Sequence, residues 1–343
     1  MPTRANTHID RALTNISVQY FNDPANFVAD LVFPRVPVQM QSDRYFQYLR
    51  EDWFRDDARK RAPGSESAGG EYDVDNTPSY FCERYAFHKD ITEEERVNSD
   101  PPLQPDLDAT MFVVDKIRLN KENNWARQFF VPGVWQQNLA GGATTSAGTT
   151  VTYWNDYVNS DPLKDIQTMS TNMSELTGKR PNTLVLGRRV YDALLLHPDI
   201  MDRIKFTQTG ILTKALLGAF FDVERILVAE AIQNIAEKRV SSESPAAHES
   251  AALKMRFMLG NNVLLCYSTP TPGLRIATAG YIFTWVGLMG ANALGGRINR
   301  IPIPLRGIGT ERIECELAYD MKVVAKDMGA FIHNAVNPTL VAP

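Results

Sequence analysis

One uninterrupted stretch constrains this chain more than any other, because residues 105–130 contain a single proline, at the first position, and no glycine. Proline is tolerated in the first turn of a helix, and the adjacent Asp106 places a carboxylate at the positive end of the helix dipole. The stretch therefore predicts one helix of about 37 Å. Its apolar residues do not form one stripe, so we expect a helix that contacts several layers, and a long helix of a large α/β domain is the alternative. One side carries Leu107, Met111, Val114, Trp125 and Phe129, and another carries Phe112, Leu119 and Phe130.

The amino-acid composition is that of a chain that can form a hydrophobic core. Of its 343 residues, 44% are hydrophobic and 22% are charged, which excludes a disordered chain. The net charge of −4 excludes a basic coat for nucleic acid. Three widely separated cysteines predict buried thiols in a reducing compartment rather than a disulfide framework.

Neither the start of the chain nor its longest uncharged stretch predicts a targeting or membrane segment. The first residues lack the apolar centre of a signal peptide. Residues 276–296 carry no charge and are long enough to span a bilayer, but they contain five glycines. They favour short β segments followed by a glycine-rich loop, so we expect no contact with a membrane.

Residues 39–87 have the pattern of a long β-hairpin. One strand is predicted over 44–49, and the return runs through 71–74 and 80–87, with a tip rich in Gly, Ser and Pro between them. Residues 43–61 carry six basic and five acidic side chains around two large aromatics. A solvated hairpin would leave those aromatics in water, so we expect the hairpin to dock on a neighbouring subunit. The candidate contact residues are Trp53, Phe54, Arg44, Arg55, Arg59, Arg61, Asp56 and Asp57.

The remainder predicts an extended arm, a linker, and a compact α/β unit. Residues 1–38 contain an apolar segment followed by two prolines, and such an arm needs a surface in its own subunit or the next. Residues 136–151 are uncharged and rich in Gly, Thr and Ser, which predicts a mobile loop. A helix is predicted from Asp161 to Gly178. Buried strands are predicted over 183–186, 226–232 and 262–267, helices over 190–197 and 213–221, and final strands over 312–319, 321–325 and 330–332.

This order of parts resembles the major capsid proteins of tailed bacteriophages, whose fold is shared with encapsulins. The segments that carry the resemblance are REDWFRDDARKRAPGSESAGGEYDVD, RRVYDALLLHPDIMDRIKF, FFDVERILVAEAIQN and RIECELAYDMKVVAKDMGAFIHNAV. The resemblance implies an α+β fold with an N-terminal arm, an extended hairpin loop, a peripheral domain with a long spine helix, and an axial domain. The implied ranges are arm 1–38, hairpin loop 39–87, peripheral domain 88–180 with spine helix 105–130, axial domain 181–305, and C-terminal strands 306–343 returning to the peripheral domain.

The resemblance also implies a function. The chain would be the structural subunit of an icosahedral shell, would assemble with itself into pentamers and hexamers, and would enclose double-stranded DNA without sequence-specific binding. It would belong to the virion capsid and assemble in the host cytoplasm. No long N-terminal scaffolding segment is visible, so a separate scaffolding protein is implied, together with a portal and room for decoration proteins.

Nothing in the sequence has the pattern of an active site. The phosphate-binding, zinc-protease and serine-hydrolase motifs are absent, and the five histidines are isolated, so no catalytic, cofactor-binding or metal-binding residue is predicted. A covalent link between Lys60 and Asn334 or Asn337 of another subunit is not expected, because such chemistry needs a desolvated carboxylate and the sequence shows none. Two alternatives stay open: an encapsulin-like compartment for protein cargo, and a cytosolic α/β enzyme.

Overall fold

The computed structural model describes residues 22–99, 103–146, 148–204, 213–236, 254–273, 276–289, 296–304, 307 and 309–337. The helices are α1 (Ala29–Val32), α2 (Arg50–Trp53), α3 (Glu93–Val97), α4 (Pro105–Phe129), α5 (Pro162–Thr177), α6 (Arg188–Leu195), α7 (Pro198–Ile204), α8 (Lys214–Phe221) and α9 (Val286–Met289). The strands are β1 (Arg35–Val38), β2 (Ser42–Arg44), β3 (Gln47–Tyr48), β4 (Val74–Asp75), β5 (Ser79–Phe81), β6 (Glu83–Ile91), β7 (Gln137–Gly142), β8 (Thr150–Thr152), β9 (Thr183–Gly187), β10 (Arg225–Ala229), β11 (Ile232–Asn234), β12 (Met255–Phe257), β13 (Val263–Cys266), β14 (Gly280–Trp285), β15 (Arg297–Pro302), β16 (Glu311–Val323) and β17 (Gly329–His333).

The predicted long helix is confirmed as α4, and an ion-pair network fixes its start. Asp106, in its first turn, pairs with Arg96 of α3 at 3.0 Å and with Arg300 of β15 at 3.4 Å. Arg96 also reaches Glu311 of β16 at 2.7 Å. Two cations and two anions thus join the start of α4 to a helix and two strands, which sets the direction in which α4 leaves the linker.

The buried face of α4 differs from the one predicted. Leu107 and Met111 are about half exposed, whereas Trp125 and Phe129 are buried as expected. The sequence pattern did not indicate the observed stripe, because four of its members are two alanines and two charged residues. It rotates around the helix, because the first half of α4 covers one sheet and the second half enters the core that two sheets share. The buried residues are Ala109, Val113, Ile117, Lys121, Glu122, Trp125, Ala126 and Phe129.

The first sheet is organised around β16. Its first nine residues pair antiparallel with β6 along one edge. The other edge is shared between β15, which covers 311–316, and β14, which covers 319–323. β1 then adds parallel to β14. The prediction of two separate final strands over 312–319 and 321–325 was wrong: they form one strand, because Asp320 stays in the ladder opposite Phe283.

The second sheet has the order β10-β9-β13-β17-β7-β8 and is covered on both faces. Alternate residues of β13 show this: Val263 and Leu265 face α5, α6 and α8, whereas Leu264 and Cys266 face the core that contains α4. Burial on both faces explains why the predicted strands of this unit read as continuous apolar runs.

The prediction of a mobile loop at 136–151 was wrong, because this stretch contains β8, at the edge of the second sheet, and β7, the strand next to it. β7 pairs parallel with β17, and β8 pairs parallel with β7. Glycine in β7 reflects a close approach of backbones: a Cβ on Gly141 would lie 1.9 Å from the carbonyl oxygen of Asn334. The stretch looked like a linker because the residues that permit this approach are those that usually mark flexible chain.

The two sheets divide the chain at points other than the predicted domain boundaries. Residues 137–177, placed with the peripheral domain, supply β7, β8 and α5 to the second sheet and its helices. Residues 280–302, placed with the axial domain, supply β14 and β15 to the first sheet. Within the described part of the chain, no helix is long and apolar enough to cross a membrane. All three cysteines are free and buried, as predicted.

The described part of the arm belongs to the core of its own subunit. Val28, Ala29, Val32 and Phe33 are at most 2% exposed. The ring of Phe33 lies 5.0 Å from that of Phe129, measured between centroids, and also contacts Trp125 and Trp135. The arm therefore fills the space between α4 and the two sheets, while its residues 1–21 lie outside the described residues. The sequence pattern there is that of one short strand or turn, over Asn15–Tyr20.

A buried carboxylate fastens this arm to α4. Glu122 is 2% exposed, and its two oxygens accept the backbone N–H groups of Val28 and Ala29 at 3.1 and 3.0 Å. These donors lie at the start of α1, which has no side-chain cap of its own. Burial raises the pKa of Glu122 to about 7, although the two N–H groups act against that shift. The neighbouring Lys121 pairs with Asp30 of the same arm.

The Phe33 ring should be essential for stability of the subunit. We expect Phe33→Ala to lower the free energy of unfolding by ~3–5 kcal/mol, because it opens a cavity between fully buried aromatics. Urea unfolding of the unassembled subunit measures this. Phe46→Ala is the matched control, since that ring is 73% exposed and its loss should change stability by less than about 0.5 kcal/mol. Equal effects of the two substitutions would contradict the assignment of the arm to the core.

Glu122 should make stability depend on pH. The pKa of Glu122 in the folded subunit, about 7, lies above the ordinary value of 4.5, so the folded state binds a proton at this carboxyl more tightly than the unfolded state does. The stabilisation that comes from this proton is therefore full below pH 4.5 and is lost as the pH rises through 7. We expect the stability of the native chain relative to Glu122→Gln to fall from about pH 5 to pH 8 in urea titrations. Glu175→Gln, at an exposed position of α5, is the control. Parallel pH profiles for the native chain and Glu122→Gln would refute this.

Candidate subunit-contact surface

The predicted hairpin is present, but its regular ladder is short. β2 pairs with β5 over three residue pairs, from Ser42 with Phe81 to Arg44 with Ser79. β3 pairs with β4 over two, and the last pair is Tyr48 with Val74. The strand predicted over 44–49 is interrupted at residues 45–46, and the one-turn helix α2 follows it. Residues 54–73 contain no helix or strand, so the tip extends beyond the last pair of the ladder.

Three aromatic rings form a cluster at the base of this tip. The rings of Tyr48, Trp53 and Tyr72 lie 5.8 to 6.0 Å apart between centroids. Asp52 accepts the backbone N–H of Asp73 at 2.9 Å, which closes α2 against the returning strand. The cluster is open to solvent on its other side, because Trp53 is 62% and Tyr72 60% exposed. It therefore presents a preformed aromatic surface rather than a set of independent side chains.

Three residues near the end of the ladder tie the base of the hairpin tip to the body of its own subunit. Gln47 donates to the carbonyl of Val324 at 3.0 Å. Arg50 donates to the carbonyl of Leu176 at 3.0 Å and pairs with Asp327. The ring of Phe54 lies against Gly178, close enough that a Cβ there would be 3.3 Å from it. Sequence reasoning missed Gln47 and Arg50, because their partners are more than 120 positions away and nothing in the local pattern distinguishes them.

The predicted contact residues are exposed, but the structure does not gather them into one site. Trp53 joins the aromatic cluster, and Phe54, although it touches Gly178, is 67% exposed. Arg61 donates to the carbonyl of Ser65 within the tip at 2.6 Å. The other charged candidates make no ion pair with any described residue, and they are Arg44, Arg55, Asp56, Asp57 and Arg59. They carry three positive and two negative charges, and we call them the rim charges of the hairpin.

The described side chains of the types used in catalysis or metal binding lie in structural settings. No group of three or more His, Cys, Asp or Glu side chains able to hold a metal occurs among the described residues. His197 is fully buried, interacts with Ser160 at 3.0 Å through Nε2, and burial lowers its pKa. Burial raises the pKa of the Cys82 and Cys266 thiols to about 12, which makes them poor nucleophiles. His8 and His248 lie outside the described residues.

The structure contains a desolvated carboxylate, Glu122, which the sequence does not show. Its burial is invisible in the sequence, because a Lys-Glu pair on a long helix normally faces solvent. Both of its oxygens are engaged by the arm of the same subunit, and its pKa shift follows from this enclosure. Glu122 therefore serves as a cap for α1.

Comparison with known proteins agrees with this architecture. The family model described as phage major capsid protein E matches residues 142–234. The major capsid protein of Pseudomonas phage JBD67 is 28% identical over 333 residues, which cover 96% of this chain and 97% of that protein. The chain is thus similar in sequence to the major capsid proteins of bacteriophages, and its fold is that of the tailed-phage capsid proteins.

Solved structures support the same tailed-phage capsid fold. The capsid structure of the cyanophage P-SCSP1u matches with a TM-score of 0.60 at 10% identity, covering 98% of this chain and 99% of that one. The holo-SrpI encapsulin of Synechococcus elongatus matches with a TM-score of 0.53 at 13% identity, covering 95% and 94%. The predicted α+β capsid fold is thus confirmed, and the relatives support a structural capsid subunit without favouring the encapsulin alternative.

The open tip should be the first place in residues 22–99 where trypsin cuts the unassembled subunit. Its basic residues Arg55, Arg59, Lys60 and Arg61 are exposed and lie beyond the last ladder pair, so a protease can bind them without unfolding the core. Mass spectrometry of early fragments identifies the cut. A variant with all four changed to Gln should lose it. A first cut in this range at Arg84, Lys89 or Arg96 would show that the tip is protected.

Proposed function

We propose that this chain is the structural subunit of an icosahedral phage capsid, built from pentamers and hexamers of itself around double-stranded DNA. The subunit acts by assembly and carries no catalytic site. A separate scaffolding protein, a portal and decoration proteins are its further partners, and the shell assembles in the host cytoplasm before it becomes the virion capsid. In this proposal residues 39–87 reach a neighbouring subunit, the first sheet with α4 is the peripheral part, and the second sheet with α5, α6 and α8 is the axial part.

The observation that carries the proposal is the set of exposed aromatic rings at the base of the hairpin tip. We call it the aromatic base, and it consists of the cluster of Tyr48, Trp53 and Tyr72 together with Phe54. A subunit that stayed alone would keep Trp53, Phe54 and Tyr72 at least 60% exposed, beside Phe46 at 73%. Exposed apolar residues occurring singly need no explanation, but a cluster on a projecting hairpin indicates an interaction site. The fold and the relatives supply the partner, a second copy of the same chain.

The energetics suit a shell held by many modest contacts. Burying Trp53 and Phe54 against a neighbour should contribute ~3–5 kcal/mol per contact. Each charge of the rim should add ~0.5 kcal/mol or less, because solvent screens it. Because both signs are present, a shifted docking register would bring like charges together. Repetition of this contact by symmetry gives a closed shell its stability.

The test replaces residues 55–71 while keeping α2 and its tethers. A short Gly-Ser linker can join the remaining ends, because Trp53 and Tyr72 already lie 5.8 Å apart between ring centroids and loop closure depends weakly on length. A second variant replaces the same residues with Gly and Ser at equal length, and a third is Trp53→Ala with Phe54→Ala. Each should fold with an unchanged circular-dichroism spectrum and a cooperative melt. Sedimentation velocity under assembly conditions should show capsomers or monomers in place of shells.

The control removes apolar surface of similar exposure elsewhere. Val97→Ala and Val158→Ala change side chains that are 77% and 88% exposed and lie outside the hairpin, so this variant should still form shells. Normal shells from all three hairpin variants would refute the hairpin as the strap between subunits. Failure of the native chain to assemble, with or without its scaffolding partner, would refute the capsid function itself.

A further inference from the structure

The tethers of the hairpin lie together at the point where its ladder ends. The last strand pair joins Tyr48 to Val74. The three tethers, Gln47, Arg50 and Phe54, all lie within six positions of Tyr48 in the sequence. Beyond them, residues 55–71 make no hydrogen bond or ion pair with the described body of the subunit. The tip is therefore held to the described body only at its base, and its direction depends on the contacts there.

These contacts join two layers of the subunit. The hairpin is rooted in the first sheet, where the backbone N–H of Phe81 is bound by Asp320 of β16 at 2.9 Å. Its tethers instead reach the end of α5, which covers the second sheet, and the link from Val324 to Asp327, which connects β16 of one sheet to β17 of the other. The hairpin thus spans the junction between the sheets.

Arg50 is the most strongly bound of the three tethers. Its guanidinium reaches two acceptors at once, the carbonyl of Leu176 in the last turn of α5 and the carboxylate of Asp327. Carbonyls in the last turn of a helix lack partners within the helix and carry the negative end of its dipole, so a cation is favoured there. Gln47 supplies a neutral hydrogen bond, and Phe54 supplies only a ring contact at Gly178.

We propose that Arg50 is a latch that fixes the direction in which the hairpin tip leaves the subunit, by holding the tip base to α5 and to the link between the sheets. This inference rests on the proposed function only for its purpose, which is to present the aromatic base in one orientation to the next subunit. Arg50 is a positioning residue, because it acts through the direction of the tip and not by contact with the neighbour.

The experiment measures that direction in the unassembled subunit of residues 1–343. Spin labels are placed at Ala58→Cys in the tip and Thr171→Cys on α5, both exposed positions, while the native cysteines are buried and stay unlabelled. Pulsed electron spin resonance should give a narrow distance distribution for the native latch. Arg50→Ala and Asp327→Ala should each broaden it, with circular dichroism and the melt unchanged. Arg44→Ala is the control, since this arginine of the same hairpin has no ion pair with a described residue.

Charge reversal distinguishes loss of the Arg50–Asp327 ion pair from a general loss of structure in the variants. Arg50→Glu alone should broaden the distribution further. Arg50→Glu combined with Asp327→Arg should narrow it in part relative to Arg50→Glu alone, because the ion pair is restored with its signs exchanged while the hydrogen bond to the Leu176 carbonyl stays lost. An unchanged distribution in Arg50→Ala, or no narrowing in the double variant, would overturn the latch. Both readouts are independent of assembly, so a native chain that never forms shells would refute the proposed function while leaving the latch intact.

Discussion

The subunit depends on one buried arrangement, the arm segment that lies between α4 and the two sheets. Backbone N–H groups placed in such a position must find acceptors, because an unpaired buried donor costs about as much as a lost hydrogen bond. Glu122 supplies both oxygens for this purpose, and Phe33, five residues further along the arm than Val28, fills the space among three aromatic rings. Fixing the arm therefore also fixes where β1 joins the first sheet.

The two sheets share this core, and that explains the unusual amphipathicity of α4. The helix packs on β16 as far as Asn124, which donates to the Tyr319 hydroxyl at 3.0 Å, and its last two turns add Trp125 and Phe129 to the region where the second sheet contributes Val185, Leu264 and Phe331. A helix that changes partners along its length cannot keep one apolar face. The hairpin is rooted in one layer and tied to the other, so the geometry of its base follows from how the layers meet.

Much of this fold follows from local chemistry that a sequence displays. Asp161 and Pro162 begin α5 and Gly178 ends it at a positive φ, and Thr92 caps α3 through the N–H of Glu95, because caps are set by neighbouring residues. The misplaced features depend on distant partners. Gly141 lay in a stretch predicted to be mobile, because its close neighbour, Asn334, is remote in sequence. The burial of Lys121 and Glu122 could not be predicted, because the arm that buries them is about ninety positions away. For the hairpin, the exposed aromatics and charges were predictable by residue type, but its tethers through Gln47 and Arg50 were not.

The packing of α4 on β16 also has a mechanical consequence. The helix is about 37 Å long and the strand, with thirteen residues, spans about 43 Å, so each is comparable to the size of a small domain. β16 is hydrogen-bonded along both edges, and a pull along it is opposed in shear by many bonds acting together rather than one after another. Tension entering the first sheet at one end is therefore carried through to the other by continuous backbone, and it does not pass through a loop. A load along this pair therefore passes from β16 into the link from Val324 to Asp327, which is the segment that Gln47 and Arg50 of the hairpin also hold.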